Sequence, residues 1–288
     1  MNYRELEINI EQTSPVISEA VMDVLKKDLI VVIKKQNTDS LNFARLIHNM
    51  SNIANWQQLS WKQDGSKFEA TEYLDPWECT FYPVQRVTAE KRDGQYTGIF
   101  PKGKLDWHAN LNGPTRADGV ALQGIRGVEG TVTSWLNTAT ALAEMPNFLK
   151  NKLENAWCIY TYNMENWADI PKEQLEFMKK NPSSYYMKIL QENIAGTQGM
   201  YFFNNNDVKI VDKEPEIIDE LTEYLFQEKF MYHHHWEVGD IVLSDQLLTL
   251  HRRPIRDDET FENRLLHRYT FPISNAKSNW IAEQNDRA

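Results

Sequence analysis

Cysteine is scarce in this chain, with only Cys79 and Cys158 among 288 residues and no Cys-x-x-Cys pair. This composition excludes a disulfide framework and a cysteine-rich zinc site, and both thiols are expected to be reduced and buried. The first residues lack the basic and apolar regions of a secretory signal, and no apolar run approaches the roughly 20 residues that cross a bilayer. The sequence therefore predicts a cytoplasmic protein without a membrane partner.

Positive charge is also in short supply. The chain has 31 Lys and Arg against 41 Asp and Glu, which gives a formal net charge of −10. A nucleic-acid binder needs a basic surface, so nucleic acid is not expected as a partner. A small anionic molecule in a local basic pocket is compatible with this balance.

Internal repeats, low-complexity segments and linkers rich in Pro, Gly or Ser are missing as well, which favours one domain over residues 1–288. What is present is a globular composition, with 41% hydrophobic and 11% aromatic residues. The sequence leaves open whether the chain forms a homo-oligomer.

The spacing of apolar residues predicts an α+β fold. Residues 18–30 and 42–56 have helical periodicity, and the β-branched run 29–35 is typical of a strand. From about residue 80 to 273, short strand-like segments alternate with turns, which indicates a sheet-rich core with helices packed outside. Residues 163–230 are predicted to form a helical insertion.

Two of the seven histidines stand out, because His108 and His251 each end an apolar segment. Non-haem iron(II) sites use two imidazoles and one carboxylate on one face of the metal, and leave the opposite face open. The residue two places after His108 would have to supply the carboxylate, and it is Asn110. By contrast, His233, His234 and His235 are adjacent on a strand and are expected to have structural roles.

The strand-like segment 263–273, downstream of His251, carries two arginines. Arg264 and Arg268 lie thirteen and seventeen residues beyond this histidine, and on an extended strand they share a face. A guanidinium is suited to bidentate binding of a carboxylate. The apolar neighbours Leu265 and Leu266 make a fully solvated basic strand the weaker interpretation.

Four segments together resemble a known family. They are "GIFPKGKLDWHAN", "GIRGVEGTVTSW", "WEVGDIVLSDQLLTLHRRP" and "NRLLHRYTF", in this order. On these segments the chain resembles the TauD/TfdA-type iron(II)- and 2-oxoglutarate-dependent oxygenases over about residues 80–273. The resemblance implies a double-stranded β-helix, or jelly roll, and Fe(II), 2-oxoglutarate and O₂ as cofactor and co-substrates.

The resemblance also implies roles for single residues. His108 and His251 would bind iron, Arg264 and Thr131 would hold the distal carboxylate of 2-oxoglutarate, and Arg268 would face the substrate. Asp245 and Gln246 are expected to form a structural turn network around His251. Trp77, Tyr82 and Trp107 are candidates for lining the pocket, although packing is the favoured role for such aromatics.

Asn110 departs from the family pattern, which usually has Asp at this position. Asparagine offers only a neutral oxygen, so the site would hold iron more weakly. Asn110 or water could fill the position, chloride could fill it as in related halogenases, or the site could bind little iron; a deliberate Asp-to-Asn substitution is a further explanation. Asp106 and Asp118 are not expected to replace the missing carboxylate.

The resulting prediction is an oxygenase that hydroxylates an unactivated C–H bond of a small anionic substrate, with an amino acid or related organic acid as the first choice. Two alternatives stay open. One is a 2-oxoglutarate-dependent halogenase, and the other is an inactive jelly-roll binding protein. Retention of two histidines and an arginine in the family's order speaks against the inactive form.

Overall fold

The computed structural model describes residues 3–38, 40–53, 84–98, 100, 103–110, 118–161, 176, 179–180, 184–204, 207–254 and 263–273. The α-helices are α1 (Pro15–Asp28), α2 (Ser40–Ile53), α3 (Thr138–Ala143), α4 (Asn147–Leu153) and α5 (Glu216–Leu225). The first strands are β1 (Arg4–Leu6), β2 (Ile30–Ile33), β3 (Val84–Thr88), β4 (Lys91–Arg92), β5 (Gln95–Tyr96), β6 (Leu105–His108), β7 (Gly119–Arg126), β8 (Val132–Asn137) and β9 (Trp157–Thr161). The remaining strands are β10 (Ser184–Lys188), β11 (Leu190–Glu192), β12 (Gln198–Met200), β13 (Asp207–Ile210), β14 (Met231–His235), β15 (Ile241–Asp245), β16 (Thr249–Arg253) and β17 (Leu265–Phe271).

Helix α1 shows how local sequence signals set the boundaries of an element. The Ser14 hydroxyl accepts a hydrogen bond from the Ile17 amide, and Pro15 occupies the first turn, where its missing N–H is not needed. The helix ends at Asp28, and the next residue, Leu29, takes the left-handed conformation and donates its N–H to the Leu25 carbonyl. Strand β2 follows at once and is buried along its whole length.

Two sheets form the core of the fold. A six-stranded sheet has the order β1-β2-β15-β7-β17-β3, and a four-stranded sheet has the order β14-β8-β16-β6. The six-stranded sheet buries Val242, Leu122 and Leu266 with Trp135 of β8 in one cluster, so this face meets the four-stranded sheet. Because side chains alternate along a strand, Leu243 and Phe271 point the other way, into a cluster with α1 and α2. The predicted jelly-roll core with helices outside is confirmed.

A second apolar layer covers the other face of the four-stranded sheet. Leu136 of β8 and Leu250 of β16 pack there with residues of α3, α4 and α5. Trp107 of β6 also lies in this layer, with its ring stacked on Phe226 at a centroid distance of 5.6 Å. Packing is therefore the role of Trp107, whereas Trp77 and Tyr82 lie outside the described residues.

The prediction of a helical insertion over 163–230 is wrong for residues 184–210, which the structure describes as mostly strands. Residues 184–210 supply strands β10 to β13, of which β10 and β13 flank β9 in an antiparallel sheet and β11 pairs with β12. Helix α5 is present as predicted, and positions 176, 179 and 180 are helical. Strands β10 and β13 form because β9 offers an edge on each side, and β11 and β12 pair with each other in a short hairpin. This pairing overrides weak local helix propensity.

Candidate active site

Strands β6 and β16 bring the two distant histidines together. The strands are antiparallel neighbours, and His251 lies directly opposite His108 in their register. The ring centroids are 4.2 Å apart, with an angle of 51° between the ring planes. Side chains that face each other across two strands can approach one ion together, so the predicted convergence of these two imidazoles is present.

Both imidazoles are buried and neutral near pH 7. Burial lowers the pKa of His108 to about 4, and the positive charge of Arg268 contributes. Burial also holds the pKa of His251 well below its usual range, with a contribution from His108. The Nδ1 atom of His108 lies 2.6 Å from the Asp106 carbonyl oxygen and donates its proton there, which leaves the lone pair of Nε2 available. Neutral imidazoles of this kind are common metal ligands.

Asn110 completes the group. Its Nδ2 atom lies 3.1 Å from His251 Nε2 and 3.1 Å from Gln246 Oε1. Its backbone N–H also donates to Gln246 Oε1, at 3.0 Å. The amide of residue 110 is therefore held against the ring of His251, at the place where the family usually has a carboxylate.

Neither nearby aspartate replaces that carboxylate. The Asp106 side chain lies 2.5 Å from the Lys104 ammonium group at the partly exposed edge of β6. The Asp118 side chain accepts the Ile273 backbone N–H at 2.6 Å. Within the described part of the chain, no cluster of three or more His, Cys, Asp or Glu side chains is placed to hold a metal ion. The site offers two imidazoles and an amide, as the sequence predicts.

A cavity of about 50 Å³ lies beside the imidazoles. Its lining residues are Val87, Phe100, Leu105, His108, Asn110, Leu122, Thr133, His251, Arg252, Arg253, Arg264, Leu266 and Arg268. The cavity therefore combines an apolar wall with several cationic groups in an acidic protein. Such a surrounding favours a small anion, because a buried charge needs an opposite charge nearby.

Both predicted arginines line this cavity. Arg268 lies on strand β17, and Arg264 directly precedes that strand. Arg264 is only 4% exposed, and Arg268 donates to the side chain of Gln85 on β3. Gly127 allows the segment before Arg264 to come close to β7, because a Cβ at position 127 would lie 2.7 Å from the Asn263 carbonyl oxygen. A third arginine, Arg253, donates to the carbonyl oxygens of Phe100 and Gly103 and fixes the loop before β6.

Thr131 lies outside the lining of this cavity. Its hydroxyl donates to the Val128 carbonyl oxygen at 2.6 Å, in the turn before β8. Thr133 lines the cavity instead, and its hydroxyl oxygen accepts the Trp236 Nε1–H at 2.9 Å. Alternation from the buried Trp135 would place both threonines on one face, so the sequence alone did not separate them. The start of β8 at Val132 leaves Thr131 in the preceding turn.

The turn that follows β15 forms the structural network expected of Asp245 and Gln246. The Asp245 carboxylate accepts the N–H groups of Leu247 and Leu248, at 2.7 and 3.0 Å. Burial raises the pKa of Asp245 to about 7, and the nearby charge of Asp118 adds to this effect. Gln246 has a second role that the sequence did not indicate, because it contacts Asn110 directly.

Two of the three adjacent histidines, His233 and His234, have the structural roles predicted for them. His234 is buried, lies 3.1 Å from the Asp240 carboxylate and 2.7 Å from the Tyr232 hydroxyl. His233 bridges Ser134 and Glu228 at the sheet edge. None of these contacts involves the cavity beside His108 and His251.

A family model described as "Taurine catabolism dioxygenase TauD, TfdA family" matches residues 3–270. The chain belongs to the TauD/TfdA family. Pentalenolactone F synthase of Streptomyces arenae is 28% identical over 105 residues, which cover 35% of this chain and 34% of that protein. The matched stretch thus spans about a third of this relative.

Solved structures with the same fold cover nearly all of this TauD/TfdA chain. AAD-2, solved in complex with Mn(II) and N-oxalylglycine, superposes with a TM-score of 0.64 at 15% identity, covering 94% of each chain. A taurine dioxygenase from Burkholderia xenovorans gives a TM-score of 0.64 at 15% identity, covering 93% of this chain and 84% of that one. At such identities the likeness shows the jelly-roll fold.

Among the described residues of this TauD/TfdA protein, no helix combines the length and the apolar character that spanning a bilayer requires.

Proposed function

We propose that this protein is an iron(II)- and 2-oxoglutarate-dependent oxygenase that hydroxylates an unactivated C–H bond of a small anionic substrate. The observation that carries the proposal is the pair His108 and His251, two neutral imidazoles 4.2 Å apart between their ring centroids, in one cavity with Arg264. Membership of the TauD/TfdA family supports it.

The residues of the cavity fit a metal with borderline ligand preference. The Nε2 atoms of His108 and His251 would hold the iron, and Asn110 or water would take the third protein position. When bound, iron and 2-oxoglutarate supply the reduction of O₂, coupled to oxidative decarboxylation and to removal of a hydrogen atom from the substrate. The protein contributes binding, orientation and exclusion of water.

Arg264 is the proposed anchor for the distal carboxylate of 2-oxoglutarate. Its guanidinium is buried and faces the cavity, where a bidentate ion pair with a carboxylate would be both strong and directional. We assign the supporting hydroxyl to Thr133 instead of Thr131, because Thr133 lines the cavity. Apolar neighbours such as Leu122 and Leu266 exclude water from this ion pair.

Arg268 is the proposed contact for an anionic group of the substrate. It lies four residues after Arg264 on the same strand face and lines the same cavity. An amino acid or related organic acid matches this charge. The substrate would therefore carry a carboxylate or a similar anion.

We do not extend the proposal to halogenation. A halide would need the position that the missing carboxylate vacates, and the Asn110 side chain, with Nδ2 3.1 Å from His251 Nε2, would crowd it. Chloride is accordingly not proposed as a ligand. An inactive binding protein is the outcome that the following experiment would reveal.

The experiment measures succinate formed from 2-oxoglutarate in the presence of iron(II), ascorbate and O₂, with and without a panel of small amino acids and organic acids. Succinate above the level of an iron-free sample is expected, with more when a matching acid is present. His108→Ala and His251→Ala should abolish it, whereas the matched control His235→Ala, at an exposed position of β14, should retain it. A protein that neither forms succinate nor binds iron would refute the proposal.

A further inference from the structure

Gln246 is fixed in one amide orientation. Its Oε1 atom accepts the backbone N–H of Asn110 at 3.0 Å, and its Nε2 atom donates to the Ser244 hydroxyl oxygen at 3.0 Å. The Ser244 oxygen also accepts the Trp135 Nε1–H, at 3.1 Å. A flipped Gln246 would turn its NH₂ group toward a backbone N–H, which can only donate, and Gln246 is completely buried. Oε1 must therefore face residue 110.

This orientation determines what residue 110 can present. Gln246 Oε1 lies 3.1 Å from the Nδ2 atom of Asn110, which donates to it. An ionised carboxylate of the same shape would bring an oxygen that has no proton to that distance, so two buried acceptors would face each other. The same Nδ2 atom also lies 3.1 Å from His251 Nε2, so the NH₂ group of Asn110 faces both Gln246 and His251.

We propose that Gln246 is a positioning residue that selects an amide over a carboxylate at position 110. The neutral group of this site is then built into the hydrogen-bond network of the fold, and Asn110 and Gln246 form a matched pair. This inference rests on the proposed function only where it concerns metal binding, because the pairing itself is a property of the metal-free protein.

The consequence is contrary to a simple charge argument. An added negative charge beside the two imidazoles should tighten divalent-metal binding, but Asn110→Asp alone would also create the contact with Gln246 Oε1. Shortening residue 246 removes this contact. Gln246→Ser leaves space for a water molecule, which can donate to a carboxylate and accept the N–H of residue 110.

The test is a double-mutant cycle of Asn110→Asp and Gln246→Ser, with Mn(II) affinity measured by calorimetry. Asn110→Asp alone should change the dissociation constant by less than about threefold, whereas the same change in the Gln246→Ser background should tighten it by roughly tenfold or more, the equivalent of one hydrogen bond to a charged group. Equal tightening in both backgrounds would overturn the proposal.

A second measurement does not depend on the metal. Urea unfolding of the metal-free protein should show that Asn110→Asp destabilises the original protein and has a smaller effect when residue 246 is Ser; identical effects would again overturn the proposal. This cycle decides the pairing even if no variant binds Mn(II), a result that would count against the proposed function alone. Gln246→Ala replaces Gln246→Ser if the serine variant does not fold.

The matched control is Gln123→Ser. Gln123 is also a completely buried glutamine on a strand, but its Nε2 atom donates to the Asn37 carbonyl oxygen, away from the cavity. Asn110→Asp should have the same effect on Mn(II) affinity and on unfolding in the Gln123→Ser background as in the original protein. A different effect there would show that removing a buried glutamine away from the cavity also changes the response to Asn110→Asp. That result would overturn the assignment to Gln246.

Discussion

His267 should make this fold sensitive to mild acid. The residue lies on β17 between Gln123 of β7 and Arg86 of β3, and it is only 2% exposed. Neither ring nitrogen has a hydrogen-bond partner among the described residues. Burial lowers the pKa of His267 to about 4, and the positive charges of Arg86 and Arg126 contribute.

The size of the effect follows from proton linkage. The unfolded chain binds a proton at His267 near pH 6.5 and the folded chain only near 4, so the unfolded state holds more protons between these values. Stability is therefore fully present above pH 6.5 and is lost as the pH falls toward 4. The loss amounts to about 2 kcal/mol at pH 5 and about 3 kcal/mol at pH 4.

The perturbation is His267→Phe, which keeps a ring of similar shape and removes the titrating group. The free energy of unfolding, measured with urea, should fall in both proteins between pH 7 and pH 5. We expect the fall in His267→Phe to be smaller than in the original protein by about 2 kcal/mol. Other titrating groups contribute equally to both proteins and cancel in this comparison. His235→Gln, at an exposed position of β14, is the control and should retain the original pH dependence. Parallel pH profiles for His267→Phe and the original protein would refute the reasoning, because they would mean that the site accommodates an imidazolium ion.

Three further predictions concern the cavity and the turn beside it. Arg264→Gln should weaken 2-oxoglutarate binding in calorimetry by roughly 100-fold, because it removes a buried charge-assisted pair, whereas Arg268→Gln should leave it within about threefold. Thr133→Val should weaken the same binding by about fivefold, and Thr131→Val should instead lower the free energy of unfolding by about 1 kcal/mol; the reverse pattern would return the ligand role to Thr131. The pKa of Asp245 is about 7 in the folded protein and 3.8 in the unfolded chain, so its contribution to stability falls as the pH rises between these values. Asp245→Asn should remove this part of the pH dependence of urea unfolding.

Several features of the site could be read from local sequence. His108 and His251 could be singled out because each ends an apolar segment, and Arg264 and Arg268 because their spacing places them on one face of a strand. The departure at Asn110 was equally visible, since it depends only on residue type. Each of these inferences uses only residues that are close in the sequence. The expectation that these residues meet in one cavity came from the family resemblance.

Other features depend on contacts between distant parts of the chain. The helical insertion predicted over 163–230 included residues 184–210, where pairing with β9 and between β11 and β12 produces strands. The choice between Thr131 and Thr133 depended on where β8 begins and on the turn that engages the Thr131 hydroxyl.

The sequence by itself determined the sheet-rich type of fold. It also determined which polar groups the site contains, namely two imidazoles, one amide and two guanidinium groups, because residue type and alternation along strands are local properties. Only the tertiary structure decided that His108 and His251 face each other across β6 and β16, and that Gln246 directs its oxygen at Asn110. The physical reason is that strand register and hydrogen-bond polarity are set by pairing across the fold. Neighbours along the chain do not specify them.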